Sequence, residues 1–571
     1  MSSSKKETIS ISPVASIRNG ESIQMYSSSP NIRTVRSATG AGEVNYINAI
    51  TSSTDNQLLA EIGYKQELKR QFSTLQVFGI SFSIMGLLPS IASVLNGGLS
   101  GGTVSLVWGW FIAGIFILLV GITMAENASS IPTAGGLYYW TYHYAPVGYK
   151  AAISYVIGIG NSLALAASVC SIDYGFAEEV LAAVVVSKDG DFNVTNGKLY
   201  GVFAGAVIVN IFFTCVASGW LAKLQTLSIV SNCFIIVLFI IVLPIGTKIN
   251  RGGFNDGSFI FGEWENMSDW NNGWQFCLAG FMPIVWTVSS FDSCVHQSEE
   301  AKDAAKAVPI GIIGSISICW VLGWVINIVI VACCDPNLNN VVNTSYPLGM
   351  AQVLYDSLGK RWTIAFLAMM AFCQFLMGAS MLTAVSRQVW AFARDNGMPF
   401  SNYIKKVDKK LSVPYNAVAF SGALSLVLGL LCLINEIAAD ALFSLSIAGN
   451  YLAWCAPTFL RLTWGRDVFR PGPFYLGDIL SPVLNWISIV FQLFIIVLTM
   501  FPATQHGIDA TTMNYSCVIG PGTWVLSLIY YLVYKKKDYH GPVSNLTDEE
   551  FAEEVGSDVI DEILSHPVKS I

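Results

Sequence analysis

The chain of 571 residues is 53% hydrophobic and only 12% charged, about half the charged share of a soluble domain. Apolar runs of about 20 residues recur along it, which marks a polytopic membrane protein and excludes a soluble catalytic domain. The net charge of −7 lies mostly in the tails, so it says little about partners, and no nucleic-acid partner is expected.

Residues 1–72 read as a cytoplasmic N-terminal tail that is Ser-rich, polar and without regular structure, with no cleavable signal peptide. Its end, Asp55 to Leu75, reads as an amphipathic helix lying on the membrane surface. Lys65, Lys69 and Arg70 precede the first span and favour a cytoplasmic N-terminus. Spans are expected at 76–96, 104–126, 149–183, 200–219, 223–244, 276–297, 308–333, 362–385, 415–434, 439–462, 481–501 and 517–534. These define a transmembrane domain over 73–535 and put both termini on one side. Residues 536–571 form a second cytoplasmic tail, in which Thr547–Glu562 is acidic with spaced apolar residues and reads as a solvated segment.

Charge asymmetry supports this orientation. Arg387, Arg394, Lys405, Lys406, Lys409, Lys410, Arg461, Arg466, Arg470, Lys535, Lys536 and Lys537 all fall on the N-terminal side, the cytoplasmic one by positive-inside bias. Lys248, Arg251, Lys360 and Arg361 are exceptions. The opposite loops hold NxS/T triplets at Asn193, Asn266, Asn343 and Asn514. The twelve cysteines are scattered, with no CxxC pair or Cys/His cluster. Neither a metal, a cofactor nor a disulfide framework is expected, and Cys333 and Cys334 read as packed thiols.

Two spans are interrupted. The first contains Gly79-Ile-Ser-Phe-Ser-Ile-Met-Gly-Leu-Leu-Pro-Ser90. The sixth turns small and polar over Trp286, Thr287, Val288, Ser289, Ser290, Phe291, Asp292 and Ser293. A charged side chain at hydrocarbon depth costs about 2.5–3.5 kcal/mol on insertion scales, so Asp292 is a functional candidate by default. Spans 1–5 (76–244) and 6–10 (276–462) form two halves, each opening on an interrupted helix; the last two spans (481–534) are extra. Interruptions at corresponding positions point to a transporter's midplane site. Each half has an odd number of spans, so the repeats are expected to be inverted. The fold class is thus all-α, with about twelve transmembrane helices in a 5+5 inverted repeat plus two.

Three segments on the cytoplasmic side, AENASSIPTAGGLYYW (Ala125–Trp140), SEEAKDAAKAVPIGI (Ser298–Ile312) and SRQVWAFARDNGMP (Ser386–Pro399), resemble the amino acid–polyamine–organocation superfamily. Within it the chain is similar to the fungal amino acid/choline transporter family, from about residue 40 to 560. Gly40–Ile80, Asn271–Pro283 and KKKDYHGPVSNLTDEE look like GABA-carrying members of that family. The resemblance implies a LeuT-like inverted-repeat fold with its site between the first and sixth helices. It places the substrate carboxylate at Ser83, Ile84, Met85 and Gly86, where a half-helix N-terminus offers free donors. It places the ammonium group at the carbonyls of Trp286, Thr287, Val288, Ser289 and Ser290. Trp286 reads either as a shield of the site with a cation–π face or as an interfacial tryptophan.

Asp292 matches the place of a proton-sensitive acidic residue in related antiporters, in register with Val308-Pro309. Three roles stay open for it: the protonatable coupling residue, a partner of the substrate amine, or a cap for freed backbone N–H groups. Asn232 stands where several bacterial relatives carry a charged lysine, so proton coupling rests on Asp292, Glu126 or Asp173. Asp173 also reads as a solvated or hydrogen-bonded residue near the outer interface. Glu126 reads as an inner-gate partner of Arg387 or Arg394, or else as an exposed loop ion pair. Glu299 and Glu300 read as solvated helix-end charges.

The function implied is a secondary transporter, not an enzyme, moving GABA (4-aminobutyrate) and related small ω-amino acids with protons across a fungal membrane, vacuolar or plasma. Lipid surrounds it, and the tails offer lysines to trafficking or ubiquitin machinery. The alternatives are a choline or polyamine permease of the same family, or a non-transporting nutrient sensor.

Overall fold

The computed structural model describes residues 32–38, 44–50, 55–216, 221–408, 413–434, 436–502, 504–509 and 513–546. Lys409, Lys410 and the acidic stretch Thr547–Glu562 lie outside the described residues. The chain divides into two compact units, Met1–Gln66 with Pro542–Ile571, and Glu67–Gly541.

In the first unit, β1 (Ile32–Ala38) pairs antiparallel with β2 (Val44–Ile50), Ile32 opposite Ile50 and Ala38 opposite Val44. The sequence reading leaves this tail without regular structure. The hairpin corrects it: Ile32, Thr34, Val35, Val44, Ile47 and Ile50 are β-branched and suit a pleated ribbon. Helix α1 (Asp55–Glu61) is seven residues long, not the expected surface helix to Leu75. Gly63 takes φ 92°, and the N–H groups of Gly63 and Tyr64 turn back to the carbonyls of Ala60 and Leu59. That left-handed glycine ends the helix.

The second unit is a helical bundle. Its helices are α2 (Thr74–Met85), α3 (Leu87–Leu99), α4 (Gly102–Ser130), α5 (Gly136–Tyr144), α6 (Lys150–Ser187), α7 (Asn196–Val216) and α8 (Leu221–Asn250). Then come α9 (Asn272–Thr287), α10 (Ser293–His296), α11 (Ala304–Cys333), α12 (Gly349–Arg394, broken at Gly359 with φ 73°), α13 (Tyr415–Gly429), α14 (Glu436–Thr463), α15 (Leu480–Leu498) and α16 (Ser516–Val533). Among the described residues, ten helices are long and apolar enough to cross a membrane, with α2 and α3 counted as one. The interrupted α9–α10 and the more polar α14 complete the bundle foreseen from the sequence.

Helix α6 is the axis: it packs on α12, α14, α7, α5, α13 and α16. Its buried face is built of small residues, among them Gly158, Gly160, Ala164, Ala166, Ala167, Ser168, Gly175 and Ala177. Between helices in lipid, small residues allow the backbone approach that association depends on. Around the outside, α8 shows Val230, Phe234, Val237, Ile241 and Ile245 exposed at helical spacing, a stripe for the lipid tails.

Helices α4 and α9 meet backbone to backbone. A Cβ on Gly109 would lie 2.4 Å from the Cα of Gly280, and one on Gly280 would lie 2.7 Å from the carbonyl oxygen of Ser105. Backbone cannot yield as a side chain can. Gly280→Ala should therefore cost about 1–3 kcal/mol, the usual penalty of overpacking. A melt in detergent checks this, and an unchanged midpoint would count against the contact.

Candidate functional site

Both interruptions lie in the bundle core. Helix α2 ends at Met85, and Gly86 (φ 38°, ψ 59°) turns the chain into α3. The first turn of α3 brings the N–H groups of Leu87 and Leu88, which have no residue four back in their own helix. Pro89 needs no donor partner, and Ser90 N–H reaches the Gly86 carbonyl at 2.9 Å. The hydroxyl of Ser83 is buried without a hydrogen-bond partner. Met377 of α12 presses on the hinge, its sulfur 2.7 Å from where a Gly86 Cβ would sit.

Helix α9 ends at Thr287, and Val288 N–H closes its last turn on the Ile284 carbonyl at 2.8 Å. The chain then crosses Ser289, Ser290 (φ 59°) and Phe291 before α10 begins. Ser289 Oγ donates to the Trp286 carbonyl at 2.7 Å, and Thr287 Oγ1 is buried without a partner. An anion is favoured at the start of α3 and a cation at the end of α9, as each half-helix dipole requires.

Trp286 is not at a lipid interface. It is buried against Phe443, ring centroids 5.2 Å apart. Both line a cavity of about 950 Å³ together with Ser93, Asn96, Tyr174 and Met282. Asn193, Asn343 and Asn514 from the loops also line it, so it opens at the end away from Arg387.

Asp292 is fully buried. Its Oδ2 accepts from Trp454 Nε1 of α14 at 3.0 Å and from Asn161 Nδ2 of α6 at 3.4 Å. Its Oδ1 has no hydrogen-bond partner. The carboxylate caps no backbone N–H of α10, which removes the capping role from the three left open. His296 Nε2 lies 3.6 Å from Oδ2, and the tilted rings of Phe291 and Trp454 have centroids 4.4 Å apart. Asn161 also reaches Asn450 Oδ1 at 3.5 Å.

The other candidates lie apart from this group. Asp173 is fully buried rather than solvated and accepts from Asn210 Nδ2 of α7 at 3.1 Å. Glu126 pairs with neither Arg387 nor Arg394. Its partner is Arg461 of α14 at 2.9 Å, with both side chains buried, so the exposed loop pair is also ruled out. Ser481 Oγ donates to the same carboxylate at 2.7 Å and Leu476 N–H at 3.1 Å. Arg461 meanwhile donates to Asn127 and lies over the Phe469 ring. The cluster ties α4, α14 and α15 together, and sequence reading missed it because Arg461 is more than 300 residues from Glu126.

Glu299 and Glu300 also correct the reading. Both are buried, Glu299 in a fork with Arg394 (3.0 and 3.1 Å) and Glu300 with Arg387 (2.8 Å). Glu299 further accepts from Ala134 N–H and Thr133 Oγ1. The Glu300 carbonyl takes the N–H groups of Gln71 and Phe72, and Arg70 donates to Ala301. This end of the bundle is closed by ion pairs and by the strap before α2. Asn232 Nδ2 bonds to the Ser228 carbonyl of its own helix at 3.0 Å. Cys333 and Cys334 are buried free thiols. Among the described residues no group of His, Cys, Asp or Glu is placed to hold a metal.

A family model described as amino acid permease matches residues 72–524. The chain is similar to the GABA-specific permease of Saccharomyces cerevisiae, 67% identical over 99% of both chains. It is 34% identical to an uncharacterized amino-acid permease of Schizosaccharomyces pombe, over 89% of this chain and 91% of that one. To the amino-acid permease BAT1 of Arabidopsis thaliana it is 32% identical, over 86% and 96%.

Two outcomes follow from the site. Arg461→Met strands the Glu126 charge and should cost about 3–5 kcal/mol, whereas adding Glu126→Leu should recover most of the loss. Detergent melts of single and double variants check this; a double variant no better than the single contradicts it. Gly86→Ala forces a side chain into the left-handed region at about 1–2 kcal/mol. Substrate uptake should fall with it, since the hinge aims the first turn of α3; unchanged uptake would remove the hinge from the site.

Proposed function

The chain belongs to the amino acid permease family, and on that footing we propose that it carries GABA across a fungal membrane together with protons. The near full-length likeness to a GABA-specific permease carries the substrate assignment. GABA is an anion and a cation separated by three methylenes, and the two helix breaks offer complementary ends. Its carboxylate is taken by the turn from Ser83 to Leu88, and its ammonium group by the carbonyls from Trp286 to Ser290. Related small ω-amino acids share both groups. Trp286 and Phe443 cover this space from the vestibule.

The asymmetry of the two ends supports alternating access. The vestibule side is open, and the other side is held by Glu299–Arg394 and Glu300–Arg387. Opening that side requires these buried pairs to part. By positive-inside bias the arginine-rich side, with both termini, is cytoplasmic. The protein belongs either to the vacuolar or to the plasma membrane, and its tails offer lysines to trafficking and ubiquitin machinery. The repeats run over 76–244 and 276–462. Asp292 is the residue chosen for coupling, because it lies beside the break; an unpartnered oxygen it has in common with Asp173. Glu126 is saturated by Arg461, Ser481 and Leu476, and Asp173 faces α7.

The experiment is uptake of labelled GABA by vesicles containing the purified protein. An inward gradient of about one pH unit is worth about 1.4 kcal/mol per proton, or tenfold accumulation. Native protein should approach that ratio and Asp292→Asn should only equilibrate. Equilibration by the native protein would discard coupling, and no uptake would discard the substrate. Butylamine, which lacks the carboxylate, should compete roughly 10–150-fold more weakly, the equivalent of charge-assisted hydrogen bonds worth about 1.5–3 kcal/mol. Choline competing as well as GABA would sink the ω-amino acid reading.

A further inference from the structure

We propose that His296 is the partner with which Asp292 shares the transported proton; this rests on the coupling proposed above and adds the second carrier. The two residues are one helical turn apart and both are fully buried. His296 Nδ1 is 3.0 Å from the carbonyl oxygen of Ala134. A carbonyl only accepts, so the ring carries its hydrogen on Nδ1 and leaves Nε2 as the basic atom. Nε2 has no hydrogen-bond partner and faces Asp292 Oδ2 at 3.6 Å.

With Asp292 ionised and the ring neutral, two acceptors oppose each other with no hydrogen between them. One proton resolves this. It sits on Asp292 as O–H, or on His296 as Nε2–H beside a carboxylate. Transfer breaks the O–H bond and forms the N–H bond, and the pair has zero net charge in both arrangements. A proton thus moves at hydrocarbon depth without leaving an isolated charge there.

The surroundings leave this pair to itself. Cys294 is the other titratable group on α10, and its thiol is turned to the Val77 carbonyl of α2. From α14 come Trp454 and Tyr451, whose rings are 4.8 Å apart. From α6 comes Asn161, and from α11 comes Gly311 against Cys294. On α12 the charges are Arg387 and Arg394, held by Glu300 and Glu299. The ring also has a connection to the closed end. Ala134, which accepts from Nδ1, donates its own N–H to Glu299 Oε1 at 3.1 Å. A protonated ring donates more strongly, so a proton on His296 tightens the loop that Glu299 and Arg394 hold.

His296→Asn tests the assignment, since its amide stands in for Nδ1 as the donor to Ala134 and the base is removed. Counterflow of GABA at equal pH should persist, while gradient-driven accumulation should drop from about tenfold to equilibration. The native pH profile of accumulation should show a step that the variant lacks. A variant that accumulates GABA with the native pH profile overturns the role of His296 and leaves Asp292 as sole carrier. Native protein that accumulates nothing removes the coupling itself, and this proposal with it. If the variant shows no counterflow, ¹⁵N spectra of native protein labelled at its five histidines decide. One ring should titrate and should lose that titration or shift it in Asp292→Asn; five rings indifferent to that substitution overturn the proposal.

Discussion

Hydrocarbon offers no hydrogen bonds, so a backbone that leaves the helix within a membrane must find partners in the protein or line a polar cavity. The α2–α3 and α9–α10 breaks are two such places, and much of the bundle serves to make them tolerable. At the first, a single left-handed glycine keeps the gap to one residue. At the second, Ser289 and Ser290 supply side-chain and backbone geometry for a longer crossing. The two breaks place a half-helix N-terminus at α3 and a half-helix C-terminus at α9 in the core, ends of opposite dipole sign.

The charges that are buried are handled by pairing. Glu126 with Arg461, Glu299 with Arg394 and Glu300 with Arg387 are each nearly closed to solvent. Such pairs gain little over apolar packing but are costly to split. Two of the three join the segment after α9 to the end of α12. The side that carries them is closed while the other holds the vestibule. A barrier made of pairs that part together suits a gate with two discrete positions. Asp292 differs from these carboxylates: its neighbours are an indole, an amide and an imidazole rather than a guanidinium.

Much of this was legible in the chain. Hydropathy locates the apolar segments because each must cross the same thickness of hydrocarbon, but not every helix end: the eighth, expected at 362–385, is helical over Gly349–Arg394. Gly86 and the Trp286–Ser293 run stand out since small and polar residues rarely interrupt such segments without use. His296 was readable too, four residues after Asp292, but a lone histidine near a helix end carries no signal without its neighbours. The hairpin of the N-terminal tail and the early end of α1 were missed, the first because its β-branched residues sit in a Ser-rich polar stretch, the second because Gly63 was read inside a helical pattern.

The sequence by itself determined the membrane class, the two interrupted helices and the residues that line them, because these depend on local composition and on the bilayer alone. The tertiary structure decided partners. Glu126 takes Arg461 rather than Arg387 or Arg394, Glu299 and Glu300 are buried rather than solvated, and Asp292 meets Asn161 and Trp454. Each of these contacts joins helices that are distant in the chain, 131 and 162 residues apart for Asp292. Which distant side chains meet is set by how small-residue faces such as that of α6 let the helices approach, a property of the packed bundle and not of any one segment.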